Sequence, residues 1–356
     1  MVRLRGGDRP MMHAAAQLDF ALAPVAGALA DPRTEELCVN RPGEFWLRQG
    51  GRFERHAAPE LDFDMLEGVA ILAGALRNQN VGAEHPLCST DLPSGHRLQV
   101  VLPPAVPPGT VSLTFRRPSD TVAALSDLAE RYDTSRWNRW DHRREQRQAD
   151  SADLLGLFDA GDAVAFFRGL VRARRNILFC GATGGGKTTL SKTLTSEIPR
   201  HERILTIEDA LELVVPHGNC VRLLYSKGGL TVGGVTADAL LQATLRMRPD
   251  RVLLQELRDD AAWVYLNEVM TGHPGSLTTI HGADAPQAMR RLFNLVKGTP
   301  QGATYGDDTL ATVIGSAVDA IVPLHNDAGT YSIREVWFAD DATRRGEAAA
   351  DLLRAA

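Results

Sequence analysis

The stretch Ile177-Leu178-Phe179-Cys180-Gly181-Ala182-Thr183-Gly184-Gly185-Gly186-Lys187-Thr188-Thr189 constrains this chain more than any other. Four apolar residues, which read as a buried strand, run directly into Gly-x-x-x-x-Gly-Lys-Thr, and a helix-compatible segment, Leu190 to Ile198, follows. Strand, glycine loop and helix in that order form a phosphate-binding loop. Glycines let the backbone turn its N–H groups inward, and the helix N-terminus adds positive potential toward phosphate. Lys187 is then placed to reach the β- and γ-phosphates of ATP and the Thr188 hydroxyl to ligate Mg²⁺, with Gly181, Thr183, Gly184, Gly185, Gly186 and Thr189 completing the cradle. A glycine-rich turn that merely precedes a lysine would not need both flanks.

With 356 residues the chain has length for roughly two to three domains. Its net charge of −5 argues against a surface built wholly to grip nucleic acid, although a local basic channel in an oligomer stays compatible with it. Cys38, Cys88, Cys180 and Cys220 lie far apart and form no Cys-x-x-Cys pair, so neither a zinc site nor a disulfide framework is in view and a reducing cytoplasm fits best. No apolar run is long enough to span a bilayer. The nearest, Phe20 to Ala30, follows Asp19 and is broken by Pro24, which argues against an export signal.

Taken in order, residues 1–30 are an amino-terminal extension, charged and then alanine-rich, whose helical part packs on the domain behind it. Residues 31–117 read as a small α+β domain. Short strands around Leu37 to Asn40, Phe45 to Leu47 and Phe53 form a meander, Leu61 to Leu76 has helical spacing, and strands return at 98–102 and 110–115. Residues 118–150 are a polar linker containing Arg136-Trp137-Asn138-Arg139-Trp140-Asp141-His142-Arg143-Arg144. Three readings of it stay open: a solvated helix, a supply of arginine to a nucleotide at a boundary, and a peripheral contact with a membrane surface. Residues 151–340 alternate strand candidates (177–180, 204–207, 251–255, 276–280) with helical segments, the pattern of a mainly parallel sheet covered by helices. A late hairpin around Asn326-Asp327-Ala328-Gly329 and a charged tail, 341–356, complete the chain.

A phosphate loop alone binds a nucleotide. Hydrolysis also needs a group that orients water and a cation that meets the developing charge. Glu208, Asp209 and Glu212 directly follow one strand, Glu256 ends another, and His281 ends a third, where a parallel sheet presents its ligand-facing ends. For Glu208 and His273 a solvated carboxylate and a packed histidine are the plainer readings; for Glu212, Glu256 and His281 the shared topology favours chemistry.

Together the phosphate loop, Ile207-Glu208-Asp209-x-x-Glu212, Leu254-x-Glu256-x-Arg258-Asp259 and Gly272-His273-x-Gly275-x-x-Thr278-Thr279-Ile280-His281 resemble the secretion-superfamily traffic ATPases over about residues 35 to 340. Asn40-Arg41-Pro42-Gly43-Glu44, Phe115-Arg116-Arg117-Pro118-Ser119 and Leu245-Arg246-Met247-Arg248-Pro249-Asp250-Arg251 are most similar to the VirB-type ATPases, the eleventh component of type IV secretion. Motors of type IV pili and type II secretion, and RecA-like nucleic-acid motors, are the alternatives. The resemblance implies a RecA-like P-loop NTPase domain with a smaller α+β amino-terminal domain. It further implies a homo-hexamer that hydrolyses ATP with Mg²⁺, in the cytoplasm at the inner membrane, with other type IV secretion subunits as partners and direct nucleic-acid binding left open. By the same resemblance Glu212 activates water, Glu256 stands for the magnesium-side carboxylate, and His281 couples nucleotide state to the neighbouring subunit. Arg116 is then an arginine delivered to the γ-phosphate by the amino-terminal domain, with Arg246 or Arg248 adding positive charge. Two residues depart from the family pattern. Gln255 stands where a small residue is usual and Gly185 where serine is common, and either departure is expected to slow turnover without abolishing binding.

Overall fold

A computed structural model describes residues 8–118, 124–132, 135, 142–226, 232–258 and 261–355. The first unit contains helices α1 (Asp8–Ala21) and α2 (Ala23–Ala30), strands β1 (Thr34–Val39), β2 (Gly43–Gln49) and β3 (Arg52–Ala58), helix α3 (Phe63–Ala75), and strands β4 (Leu87–Asp91), β5 (Arg97–Val101) and β6 (Ser112–Arg116). The six strands form one antiparallel sheet in the order β3-β2-β1-β6-β5-β4.

Alternation along the strands decides what each face covers. Leu37, Val39, Leu98, Val100, Leu113 and Phe115 are buried in one core with α3 and with Leu18, Leu22, Val25 and Leu29 of the first two helices. The alanine-rich start of the chain is thus part of this core. The intervening positions, Glu36, Cys38, Gln99 and Thr114, are also buried, on the face that turns toward the second unit. Strand β4 has no counterpart in the sequence-based reading, because Cys88-Ser89-Thr90-Asp91 is too polar to announce itself.

A short helix α4 (Leu128–Arg131) and helix α5 (His142–Asp159) lead into the second unit. Arg136 to Asp141 of the basic-aromatic stretch lie outside the described residues. Next come α6 (Ala163–Arg172), β7 (Ile177–Gly181), α7 (Lys187–Thr195), β8 (Ile204–Glu208), β9 (Cys220–Leu224), α8 (Ala237–Thr244), β10 (Arg251–Leu254), α9 (Ala261–Met270), β11 (Leu277–Ile280) and α10 (Ala285–Lys297). The unit closes with α11 (Asp307–Ala317), β12 (Ala320–Asp327), β13 (Thr330–Ile333), β14 (Trp337–Phe338), α12 (Ala339–Arg344) and α13 (Asp351–Ala355).

Strands β9, β8 and β10 pair in parallel, as do β11, β7 and β12. A bridge between Glu256 and Thr279 joins the two sets, giving the order β9-β8-β10-β11-β7-β12-β13 with β14 also on β12. Every residue of β7, β8, β10 and β11 is buried, as a sheet covered by helices on both faces requires. The expected late hairpin is present, but its second half divides: β13 and β14 pair with different parts of β12. This is the anticipated α/β P-loop fold beside a smaller α+β unit.

The units join through Arg203, whose side chain is fully buried at the start of β8. Its Nη1 donates to Asn40 Oδ1 at 2.7 Å and to Asn219 Oδ1 at 2.5 Å, and its Nε donates to the Met247 carbonyl at 2.9 Å. Asn40 Nδ2 donates to Asn219 at 3.0 Å, and Arg203 sits 5.9 Å from the Phe53 ring centroid. Substituting Arg203→Met keeps the bulk but strips two buried amide oxygens of a donor, so the first unfolding transition in urea should lose about 2–4 kcal/mol. An unchanged midpoint would show that the junction does not depend on this side chain.

Candidate functional site

The glycine loop leaves the end of β7 and closes at Gly186, which opens α7 at φ +90. A Cβ there would be strained by that φ and crowded as well, standing 3.0 Å from the Tyr331 ring on the β12–β13 hairpin. At Gly185 a Cβ would lie 2.9 Å from the Ala182 carbonyl oxygen, so this loop is tighter than a serine at that position would allow. Asn326 Nδ2 on the same hairpin donates to the Gly184 carbonyl at 3.0 Å. Lys187 is buried, and its Nζ donates to the carbonyls of Gly181 at 2.8 Å and Ala182 at 2.9 Å. Burial pushes its pKa below the usual lysine range, against the pull of Glu256 nearby. Thr188 is half-buried, while Thr183, Gly184 and Thr189 are exposed along the rim.

The acids come to the same edge of the sheet because β8, β10 and β11 run parallel to β7 and end beside it. Glu208 was read as solvated; it is fully buried and tied down instead. It accepts from Arg222 Nε at 2.9 Å and Nη2 at 2.8 Å, from the Thr206 hydroxyl at 2.6 Å, and from the backbone N–H groups of Glu212 at 3.0 Å and Leu213 at 2.9 Å. Those last two bonds fold the acidic loop and fix where Glu212 leaves it. The exposed Glu212 carboxylate then accepts from Gln255 Nε2 at 2.7 Å. Glu256 is held between Arg258 Nη2 at 2.5 Å and His281 Nε2 at 3.1 Å, with Asp209 3.9 Å from Arg258. Strand β11 lies between the strands of Lys187 and Glu256, which places His281 between nucleotide loop and acid.

Among the described residues no three His, Cys, Asp or Glu side chains cluster as a metal cage. The donor set that is present, a half-buried threonine hydroxyl at the loop and a carboxylate facing the lysine, fits Mg²⁺, which is usually bound through one or two carboxylates together with substrate phosphates.

The arginines are elsewhere. Arg246 and Arg248 precede Asp250, whose N–H bonds the Arg203 carbonyl at the start of β8, so they stand at the amino ends of the strands, one strand length or about 16 Å from the phosphate loop. Arg116 joins them there. With Arg48, Arg97, Arg117 and Arg248 it lines a cleft of about 680 Å³ between the units, and Arg246 lines an adjoining one with Arg97 and Arg116. Glu36 is buried in this basic surface 3.7 Å from Arg116. Burial raises its pKa to about 7 despite the arginines around it, so near neutral pH it offsets only part of their charge. His273 sits on this edge too, its pKa lowered by burial and by Arg248. One chain therefore brings Lys187, Thr188, Glu212, Glu256 and His281 to one end of the sheet and Arg116, Arg246 and Arg248 to the other.

Sequence reasoning did not find Arg222, Asn326 or Tyr331. Arg222 lies on β9, an edge strand whose half-exposed alternation was overlooked, and nothing local to Asn326 or Tyr331 points to a glycine loop so far away in sequence.

Residues 143–325 match the family model described as Type II/IV secretion system protein. Protein VirB11 of Rhizobium radiobacter is 55% identical over 337 residues, spanning 95% of this chain and 98% of that relative. The type IV secretion system protein VirB11 of Bartonella henselae is 37% identical, with 89% and 91% covered. The crystal structure of the VirB11 ATPase from the Brucella suis type IV secretion system, in complex with sulphate, superposes with a TM-score of 0.86 at 35% identity, covering 95% of this chain and 98% of that one.

Glu208→Gln keeps the shape but weakens the grip on Arg222 and on the loop amides. We expect kcat for ATP to fall about 10-fold with KM within a factor of two, the pattern of a lost transition-state arrangement. Steady-state phosphate release measures it, and a wild-type kcat would mean the acidic loop keeps its shape without Glu208.

Proposed function

The chain belongs to the VirB11 family of type IV secretion ATPases, and on that premise we propose that it is a homo-hexameric, Mg²⁺-dependent ATP hydrolase at the cytoplasmic face of the inner membrane. There it drives export or pilus assembly together with the other subunits of the secretion machine. ATP seats its β- and γ-phosphates against the loop amides, and Lys187 turns from the carbonyls of Gly181 and Ala182 to the phosphates. Thr188 and Glu256 would hold Mg²⁺, which would supply charge neutralisation at those phosphates. Glu212 takes a proton from water as the water oxygen bonds to the γ-phosphorus and the bond to the β–γ bridging oxygen breaks, releasing ADP. His281 senses the change at Glu256.

The separation of the arginines from Lys187 carries the oligomeric part of this reading. Cations at the amino ends of the strands cannot meet the phosphates of their own loop, whereas in a ring they can face the loop of the next subunit. Arg116, Arg246 and Arg248 are then supplied in trans, where such an arginine is worth about 10³–10⁵ in rate. No helix among the described residues is long and apolar enough to cross a membrane, so membrane contact in this scheme is peripheral.

Glu212→Gln should bind ATP normally and lose at least about 10²-fold in kcat; normal turnover by this variant would remove the proposed chemistry. Mixing Lys187→Ala subunits with Arg116→Ala subunits, each inactive alone, should restore ATPase activity because hybrid rings contain sites with an intact loop and an intact neighbouring arginine. Absence of any recovery in mixed rings would place the arginine in its own subunit's site.

A further inference from the structure

Gln255, which departs from the family pattern, lies between the two acids of the site. Its backbone is locked: its N–H bonds the Ile207 carbonyl at 3.2 Å, and its own carbonyl accepts from the Thr279 hydroxyl at 3.0 Å. Strands β8 and β11 thus grip it from both sides. The residue is 8% exposed. Its amide nitrogen donates to Glu212 at 2.7 Å, an assignment the chemistry enforces because a carboxylate only accepts. Its Oε1 is buried and has no hydrogen-bond partner among the described residues.

We infer that Gln255 is a positioning residue for the water that attacks ATP: its amide nitrogen fixes the Glu212 carboxylate and its amide oxygen accepts a hydrogen bond from the same water. This deepens the reading of Glu212 given above and rests on it. An amide carries both atoms on one carbon, so Oε1 lies within about 5 Å of the Glu212 oxygen, a span that one water bridges with two hydrogen bonds of about 2.8 Å. Oε1 is closed to solvent in this arrangement and a buried acceptor left without a donor is costly, so the water reaches it as ATP enters the site. That water has one proton aimed at Glu212 and the other at Gln255. Its lone pair is left free for phosphorus, and the proton lost on attack goes to Glu212. The residue expected to slow turnover is on this view part of the device that sustains it.

Two variants test the assignment. Gln255→Leu removes both hydrogen bonds at similar volume and should lower kcat 10- to 100-fold while the Kd for a fluorescent ATP analogue stays within threefold. In a Glu212→Gln background the same change should cost less than threefold, since the water is already unactivated. Gln255→Glu places two carboxylates together, which raises the pKa of the pair. As pH falls the introduced carboxyl keeps its proton and donates to Glu212 as the amide did. Its kcat deficit relative to wild type should therefore shrink from about 100-fold at pH 8.5 to within about 10-fold at pH 6. A deficit parallel to wild type at every pH, a wild-type kcat in Gln255→Leu, or a loss of nucleotide affinity as large as the loss of kcat would overturn the inference. If Glu212→Gln turns over normally, the catalytic reading fails instead; if Glu212→Gln is inactive and Gln255→Leu is normal, only the role of Gln255 falls.

Discussion

A parallel sheet has two chemically different ends, and this protein is built on that difference. At the carboxyl ends the chain leaves each strand into a loop, so Lys187, Glu208, Glu256 and His281 are neighbours although more than ninety residues separate the first from the last. At the amino ends the same strands begin with Arg203 and Arg251, both fully buried. Arg251 is paired with Glu202 at 2.7 Å and 3.2 Å, and its Nη2 also donates to the Val171 carbonyl at 2.9 Å. A charge this deep is tolerated only when nearly all its donors are used, and here they tie one strand start to helix α6 and to the turn before β8. The amino edge is thereby made rigid and basic, while the carboxyl edge is left to the nucleotide.

The amino-terminal sheet extends that basic edge. Its strand alternation sends apolar side chains to its own helices and a second set, which includes Glu36, Gln99, Thr114 and Arg116, toward the ATPase unit. Glu36 and Arg116 face each other directly across β1 and β6, and Arg97 faces Arg116 across β5 and β6. Three adjacent strands thus bring two arginines and one acid into register. Because burial leaves the Glu36 carboxyl only partly ionised near neutral pH, the cluster keeps more positive charge than its composition alone would give it. The junction at Arg203 sets the angle at which this surface is presented, which gives the Asn40-Arg41-Pro42-Gly43-Glu44 segment a structural meaning. Asn40 bonds Arg203 and Asn219, and Arg41 Nη2 donates to the Gly218 carbonyl at 3.0 Å.

How much of this was legible follows from the range of each signal. The phosphate loop and the strand before Glu256 are local patterns whose residue types alone require the structure. The division into an acidic edge and a basic edge follows from strand direction and is half visible: the strands are placed, but whose loop Arg116 serves stays open, because sequence order says nothing about which end of a strand a distant domain approaches. Glu208 was misread for the complementary reason. A carboxylate after a strand looks solvated until its partner is known, and Arg222 lies on β9, whose alternation of buried and half-buried residues gives no fully apolar run. The hairpin over the loop was foreseen as a hairpin, yet Asn326 and Tyr331 acquire their role only through the pairing of β12 with β7.

That pairing also fixes how the site rests between turnovers. Strand β12 brings the Leu324 carbonyl oxygen to within 2.4 Å of where a Cβ on Gly181 would stand, so the end of β7 is pressed against its neighbour and the loop has little freedom to open. Lys187 is folded onto the carbonyls of the same loop, and Glu256 is shared between Arg258 and His281. Lys187 is thus already satisfied by the protein, while Glu256 keeps one buried oxygen, Oε1, beside His281 without a hydrogen bond. A triphosphate can enter only by offering Lys187 better acceptors than two neutral carbonyls, which its anionic oxygens do. As Lys187 turns, the field at Glu256 changes, and with it the balance between Arg258 and His281. On the proposed reading, nucleotide binding would in this way be converted into a rearrangement of charge contacts at the end of β11, the strand that stands between the loop and the acids.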